Sequence, residues 1–301
     1  ADVSAGSVTL TITANAASPC TGSSTSGKTL TFQPVPVVNA GANQVSCSNV
    51  LSVSITGATA SNYTALSWAT SGTGTFTNGT TLTPTYNPSV ADLSVGSVTI
   101  TLTANAISPC TSNSTSNKTI SFQNTPTANS GGNQQVCSSI GVVSLNGMST
   151  NTSSTTWTTS GTGTFADATA PVTTYTPSIA DLAFGTVTLT LTGAPVSPCS
   201  GNAVSNAIIT FQNIPTANAG IPQTLCSNNA TVSLTGATAS NYSGISWSTS
   251  GTGTFTNGNT LTPTYNPSGA DISAGSVTLS LTATAISPCA SDAISSVTIS
   301  F

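Results

Sequence analysis

Along much of this chain apolar and hydroxylated residues take turns. Val98, Ile100, Leu102 and Ala104 alternate with Ser97, Thr99, Thr101 and Thr103, the period of two that a half-buried strand requires. The same run recurs at Val8, Leu10 and Ile12, at Val187, Leu189 and Leu191, and at Val277, Leu279 and Leu281. Shorter versions lie at Val53 and Ile55, at Val143 and Leu145, and at Val232 and Leu234. Gly, Pro and Asn separate the runs, and no stretch shows a helical period. Six or seven short strands per repeat predict an all-β fold, a tandem array of immunoglobulin-like β-sandwich modules of about ninety residues each.

The repetition is strict. The cysteine of Ser-Pro-Cys falls at Cys20, Cys110, Cys199 and Cys289. Ser-Gly-Thr-Gly-Thr-Phe starts at Ser71, Ser160 and Ser250, and Asp2, Asp92, Asp181 and Asp271 keep the same step. Trp68, Trp157 and Trp247 keep it too, and are expected as the central core residues of their sandwiches. Taking Phe32, Phe122, Phe211 and Phe301 as closing residues divides the chain into a C-terminal part of a repeat at 1–32 and full repeats at 33–122, 123–211 and 212–301. The first piece carries only two strands, too few to enclose a core. Gln33-Pro34-Val35-Pro36, Gln123-Asn124-Thr125-Pro126 and Gln212-Asn213-Ile214-Pro215 join the repeats. Such short, proline-bearing joints favour a semi-rigid rod.

Composition narrows the function. The 301 residues include two basic and six acidic side chains and no His, Glu or Arg, for a net charge of −4. Phosphate backbones and anionic membrane surfaces find no basic patch here, so neither nucleic acid nor membrane insertion is expected. A hydrophobic content of 37% at regular positions argues for a folded chain despite the low charge. A nucleophilic Ser or Thr lacks a recurring base, so no catalytic residue and no cofactor site is assigned, and the chain reads as a non-enzyme. Asp167 and Asp181, close in sequence, read as two surface loop residues rather than an acid and base pair. The repeating Asp92, Asp181 and Asp271 read as turn caps whose carboxylates accept backbone N–H bonds. One carboxylate per module does not make a calcium site, and without His a zinc site is not expected, so no metal ligand is assigned. Tyr63 and Tyr242, in a shared Ala-Thr-Ala-Ser-Asn-Tyr segment, are the weak candidates for a ring that stacks on a sugar; the competing role is to cap the core beside the Trp.

Seven cysteines form two series, Cys47, Cys137 and Cys226 early in each repeat and Cys20, Cys110, Cys199 and Cys289 late. Two pairings fit. Within repeats, Cys47 joins Cys110, Cys137 joins Cys199 and Cys226 joins Cys289, leaving Cys20 unpaired. Across junctions, Cys20 joins Cys47, Cys110 joins Cys137 and Cys199 joins Cys226, leaving Cys289. Loop entropy is similar for both, about 4 kcal/mol per bond. If the first strand begins at the pole that holds the last hairpin loop, pairing within repeats is favoured. Disulfides at such regular spacing point to an oxidising, extracellular compartment.

The run Ala217 to Gly220, Gln223 to Cys226, Trp247, Gly251 to Phe255, Tyr265 to Asp271, Gly275 to Leu279 and Ser287 to Cys289 resembles the PKD-like repeats of giant cell-surface adhesins. Those adhesins occur in Bacteroidota and include gliding-motility adhesins exported by type IX secretion. The resemblance implies an extracellular filament that adheres to surfaces or polysaccharides. The middle repeat departs from the pattern, being shortened over 146–156 and carrying Ala166-Asp167-Ala168 in place of the Thr-Asn-Gly turn. Two other readings stand beside this one: a structural fibre or sheath that assembles with itself, and spacer or carbohydrate-binding modules of a secreted enzyme.

Overall fold

The computed structural model describes residues 2–226, 228 and 231–301. It contains two compact units, Ala1–Thr125 with Pro195–Gly201, and Pro126–Ala194 with Asn202–Phe301.

The first unit opens with a hairpin of Ser7–Asn15 and Ser23–Thr31, paired antiparallel from Ser7↔Thr31 to Asn15↔Ser23. A sandwich comes next. Its larger sheet has four strands in the order Gln44–Cys47, Ser114–Gln123, Ser97–Ala106, Tyr63–Thr70, and its smaller sheet orders Val53–Ser54, Thr85–Asn87, Thr75–Thr77. A short pair, Val37–Asn39 with Thr59–Ser61, completes it. The second unit repeats this plan twice. Its four-stranded sheets are Gln134–Cys137, Ala203–Gln212, Thr186–Pro195, Thr152–Thr159 and Gln223–Thr224, Ala293–Ser300, Ser276–Ala285, Tyr242–Thr249. The chain is thus a tandem array of immunoglobulin-like β-sandwiches.

The alternating pattern explains why each sheet holds. Val98, Ile100, Leu102 and Ala104 face inward and are buried, while Thr99, Thr101 and Thr103 occupy the other face. Removing each Val, Ile or Leu from water contributes about 2 kcal/mol. Trp68 lies in the same core, its ring 6.1 Å from Phe76, which is in turn 5.0 Å from Tyr86. The indole N–H of Trp68 donates to the Thr81 carbonyl at 2.9 Å, so its burial strands no donor. Trp157 and Trp247 are buried in the same way and donate to Pro171 and Thr260.

The direction of the first strand of each four-stranded sheet fixes where the early cysteine of the module lies. Gln44–Cys47 runs parallel to the last strand of its own sheet, from Ile120↔Gln44 to Gln123↔Cys47. Gln134–Cys137 and Gln223–Thr224 repeat this with Ala203–Gln212 and Ala293–Ser300. Cys47 and Cys137, at the ends of their strands, therefore sit beside Gln123 and Gln212, at the joints to the next modules.

Each module also contains a six-residue helix, at Val90–Val95, Ile179–Phe184 and Gly269–Ala274. Six residues are too few to display a 3.6-residue period, so the hydrophobic pattern did not predict them. Their signal is the Ser-x-x-Asp capping box, Ser89 with Asp92 in the first case, closed by Gly96 in the left-handed region at φ 85°.

Lys118 interrupts the inward face of its strand. It is buried where the equivalent strands carry Ala207 and Val297, with Nζ donating to Gln44 Oε1 at 2.6 Å and to the Thr56 carbonyl at 3.0 Å. Burial pulls its pKa below the ordinary lysine value. A base whose folded pKa lies below its unfolded one weakens the fold at neutral pH, and the penalty fades as pH rises toward the unfolded value. Lys118→Val should therefore stabilise the chain by about 1 kcal/mol at pH 7, the relief of desolvation exceeding the two lost hydrogen bonds. Denaturant midpoints at pH 7 and pH 10 check this, the gain being smaller at pH 10.

Candidate functional site

Each module holds one buried carboxylate in a knot of hydrogen bonds. The Asp92 carboxylate accepts from the Thr73 N–H at 2.9 Å, the Ser89 N–H at 2.9 Å and the Tyr86 hydroxyl at 2.8 Å. Thr70 Oγ1 lies 3.1 Å from the Tyr86 hydroxyl oxygen. Asp181 and Asp271 are held alike, by Thr162, Ser178 and Tyr175 and by Thr252, Ser268 and Tyr265, with Gly163 and Gly253 adding a further backbone N–H each.

The Gly-Thr-Gly turn wraps this carboxylate. A methyl group on Gly72 would run into the Asp92 carboxylate, and one on Gly74 would meet the Tyr86 hydroxyl and the Asn87 carbonyl. Gly161 and Gly163 stand in the same relation to Asp181 and Tyr175, as do Gly251 and Gly253 to Asp271 and Tyr265. Burial works against the charge, but the Ser89 and Thr73 N–H groups and the Tyr86 hydroxyl outweigh it and hold Asp92 at a pKa of about 2. The same donors hold Asp181 and Asp271 at about 2.

These carboxylates serve structure. Asp181 is buried, which corrects its reading as a surface loop residue, because its lone pairs are committed to the turn and the tyrosine. Asp167 is the exposed one, accepting from the Thr169 N–H at 2.8 Å and the Thr169 hydroxyl at 2.7 Å. Tyr63 is half-buried and packs against the core of its sandwich, and Tyr242 is half-buried on the equivalent strand. Among the described residues no group of three or more His, Cys, Asp or Glu side chains could hold a metal ion, and no helix is long and apolar enough to cross a membrane.

The cysteines pair differently from either sequence-based scheme. Cys47 is bonded to Cys199 and Cys137 to Cys289, each across 152 residues, and Cys20, Cys110 and Cys226 carry free thiols. The premise of pairing within repeats fails on the parallel first strand: Cys47 closes that strand beside Gln123, whereas Cys110 lies in the turn between Ser97–Ala106 and Ser114–Gln123, next to Gln33. The two cysteines of one repeat thus sit at opposite poles. What the early cysteine meets is the Ser-Pro-Cys turn of the next repeat, whose Cys199 Sγ lies 3.1 Å from the Gln123 carbonyl. Cys289 lies 3.3 Å from the Gln212 carbonyl in the second unit, where its bond to Cys137 borders a cleft of about 410 Å³ lined by Val136, Ile140, Ile214 and Pro288.

No protein-family model matches the chain, and no curated protein matches it. Among solved structures it is similar to mouse Cadherin-23 EC22-24 (11% identity, 88% of this chain and 98% of that one, TM-score 0.44). An I-band fragment of titin matches at 13% identity over 88% of this chain and 98% of that one, TM-score 0.48. The protocadherin γB4 extracellular domain matches at 11% over 98% of this chain and 54% of that one, TM-score 0.48. At these values the likenesses add nothing to the sheet topology.

The folded pKa of about 2 lies below the unfolded value of 3.8, so the carboxylate contribution is complete above about pH 5 and is lost as pH falls from about 4 toward 2. Thermal melts should be level from pH 7 to 5 and drop steeply below 4. Asp92→Asn should cost about 2–3 kcal/mol in its own module at pH 7 and make that decline shallower. Stretching measures the disulfides independently. With both intact, the shortest covalent path through the chain runs to Cys47, crosses to Cys199, returns to Cys137 and crosses to Cys289. In single-molecule pulling, the fully unfolded length should be less than half of that reached after reduction.

Proposed function

We propose that this chain is a non-enzymatic, extracellular stalk segment of a cell-surface adhesin. The observation that carries the reading is the pair of disulfides, each joining one repeat to the next rather than closing a repeat on itself. A bond of that kind does little for a binding pocket and much for a chain that is pulled from its ends. Disulfides also belong to oxidising compartments outside the cytosol. The knots of Asp, Tyr and Gly-Thr-Gly support the same reading, since they occupy the recurring acidic side chains with hydrogen bonds inside the fold.

Surfaces or polysaccharides are the proposed partners, reached through many copies of weak contacts, for which Tyr63 and Tyr242 remain the candidate rings. The finer assignment, a gliding-motility adhesin exported by type IX secretion, is carried by the resemblance to PKD-like repeats alone. Assembly of the repeats with one another into a fibre or sheath is the second reading. Spacer modules of a secreted enzyme form the third.

Electron microscopy of the native protein on its cells separates the first two. Single thin filaments, unbundled and lost from the surface on reduction and mild proteolysis, are expected of the stalk. Laterally ordered bundles would overturn it in favour of self-assembly.

A further inference from the structure

Within the first unit two features stand incomplete, and both ask for the same partner. The first is the hairpin of Ser7–Asn15 and Ser23–Thr31. Leu10, Ile12 and Leu30 are 55%, 72% and 43% exposed, whereas Ile100, Leu102 and Ile120, their equivalents one repeat later, are fully buried. Among the described residues Ser23–Thr31 pairs with Ser7–Asn15 alone, whereas Ser114–Gln123 also carries Gln44–Cys47 along its other edge.

The second feature is Cys110. Its thiol lies 3.3 Å from the Gln33 carbonyl, just as Cys199 and Cys289 lie 3.1 and 3.3 Å from the carbonyls of Gln123 and Gln212. Its N–H donates to Ile107, as those of Cys199 and Cys289 donate to Val196 and Ile286. Even the Gln33 side chain repeats the pose of Gln123 and Gln212, each amide donating to the carbonyl of the next residue. Cys199 and Cys289, held in this pose, are bonded to a cysteine that ends a parallel first strand; Cys110 is held in it with a free thiol.

We propose that the hairpin and Cys110 together form a docking site for the first part of a further module of this repeat, on the same polypeptide. Its Gln-x-x-Cys strand lies parallel along Ser23–Thr31 and places its cysteine opposite Gln33, as Cys47 stands opposite Gln123. Its core side chains cover Leu10, Ile12 and Leu30, and its cysteine bonds to Cys110. The two thiols each give up a proton, and their two electrons pass to a small-molecule or protein disulfide, which is reduced to two thiols. The inference goes beyond the adhesin reading: it concerns how the repeats are joined, whatever they bind.

The test places a second copy of residues 33–90 directly before Ala1, so that the hairpin gains the preceding part of a module with its own copy of Cys47. The unextended and extended chains are oxidised in a glutathione and glutathione disulfide buffer, alkylated with iodoacetamide, digested without reduction and analysed by mass spectrometry. The expected result is alkylation of Cys110 in the unextended chain and its loss in the extended one, with a linked peptide joining Cys110 to the copied cysteine. Hydrogen exchange at Leu10, Ile12 and Leu30 should slow in the extended chain even when the copied cysteine is replaced by Ser, which separates docking from bonding. Cys110 still alkylated while Cys47–Cys199 and Cys137–Cys289 remain linked would overturn the proposal. So would a bond from Cys110 to a second chain, seen as a dimer on a non-reducing gel. Absence of the two existing links would overturn the pairing rule on which the inference stands and, with it, the observation that carries the adhesin reading, whereas a free Cys110 beside intact links overturns this proposal alone.

Discussion

Everything in a module is arranged around a carboxylate that cannot be left alone. A buried charge is tolerable only when its lone pairs are filled, and Asp92 fills them from three directions: the Gly-Thr-Gly turn through Thr73, the helix start through Ser89, and the small sheet through Tyr86. One side chain thereby ties the turn after the Trp68 strand to the small sheet and to the helix that leads into the longest strand. The glycines are a consequence, because the turn has to approach the carboxylate more closely than a Cβ allows. The tyrosine is another, as the one aromatic in the core that brings a hydroxyl to the acid.

A second constraint acts between modules. Because the first strand runs parallel to the last, its terminal cysteine is delivered to the exit of the module, while the Ser-Pro-Cys turn, between two antiparallel strands, faces the entrance. A bond between the two must therefore join successive modules. Strand direction, rather than distance along the chain, sets the connectivity: 152 residues separate the bonded cysteines where closer ones were available. The loop entropy that such a bond removes is only slightly larger, since it grows with the logarithm of loop length.

Lys118 shows how the repeats tolerate drift. A position that is Ala207 or Val297 elsewhere holds an ammonium group satisfied by Gln44 and Thr56, acceptors on and beside the first strand at the sheet edge. The fold survives because the inward face of neighbouring residues, Ile100, Leu102 and Ile120, remains apolar.

The sequence alone determined the all-β class, the period, the long alternating strands and the core tryptophans, because each rests on alternation or repetition, whereas the two- and three-residue strands, too short to alternate, brought the first repeat to nine strands among the described residues instead of the six or seven expected. It also showed that Asp92, Asp181 and Asp271 accept backbone N–H bonds, since Asp before a turn glycine has few other uses. The short helices were legible only through Ser89 and Gly96, a capping signal without a period. What the tertiary structure decided was direction and depth. Whether Gln44–Cys47 ran with or against Ser114–Gln123 left no mark on the hydrophobic pattern, yet it moved Cys47 from one pole of the sandwich to the other and changed its partner. The burial of Asp181, and the reason for two glycines in every Gly-Thr-Gly, depended likewise on which loops the two sheets brought together, a relation between residues far apart in the chain that no local pattern encodes.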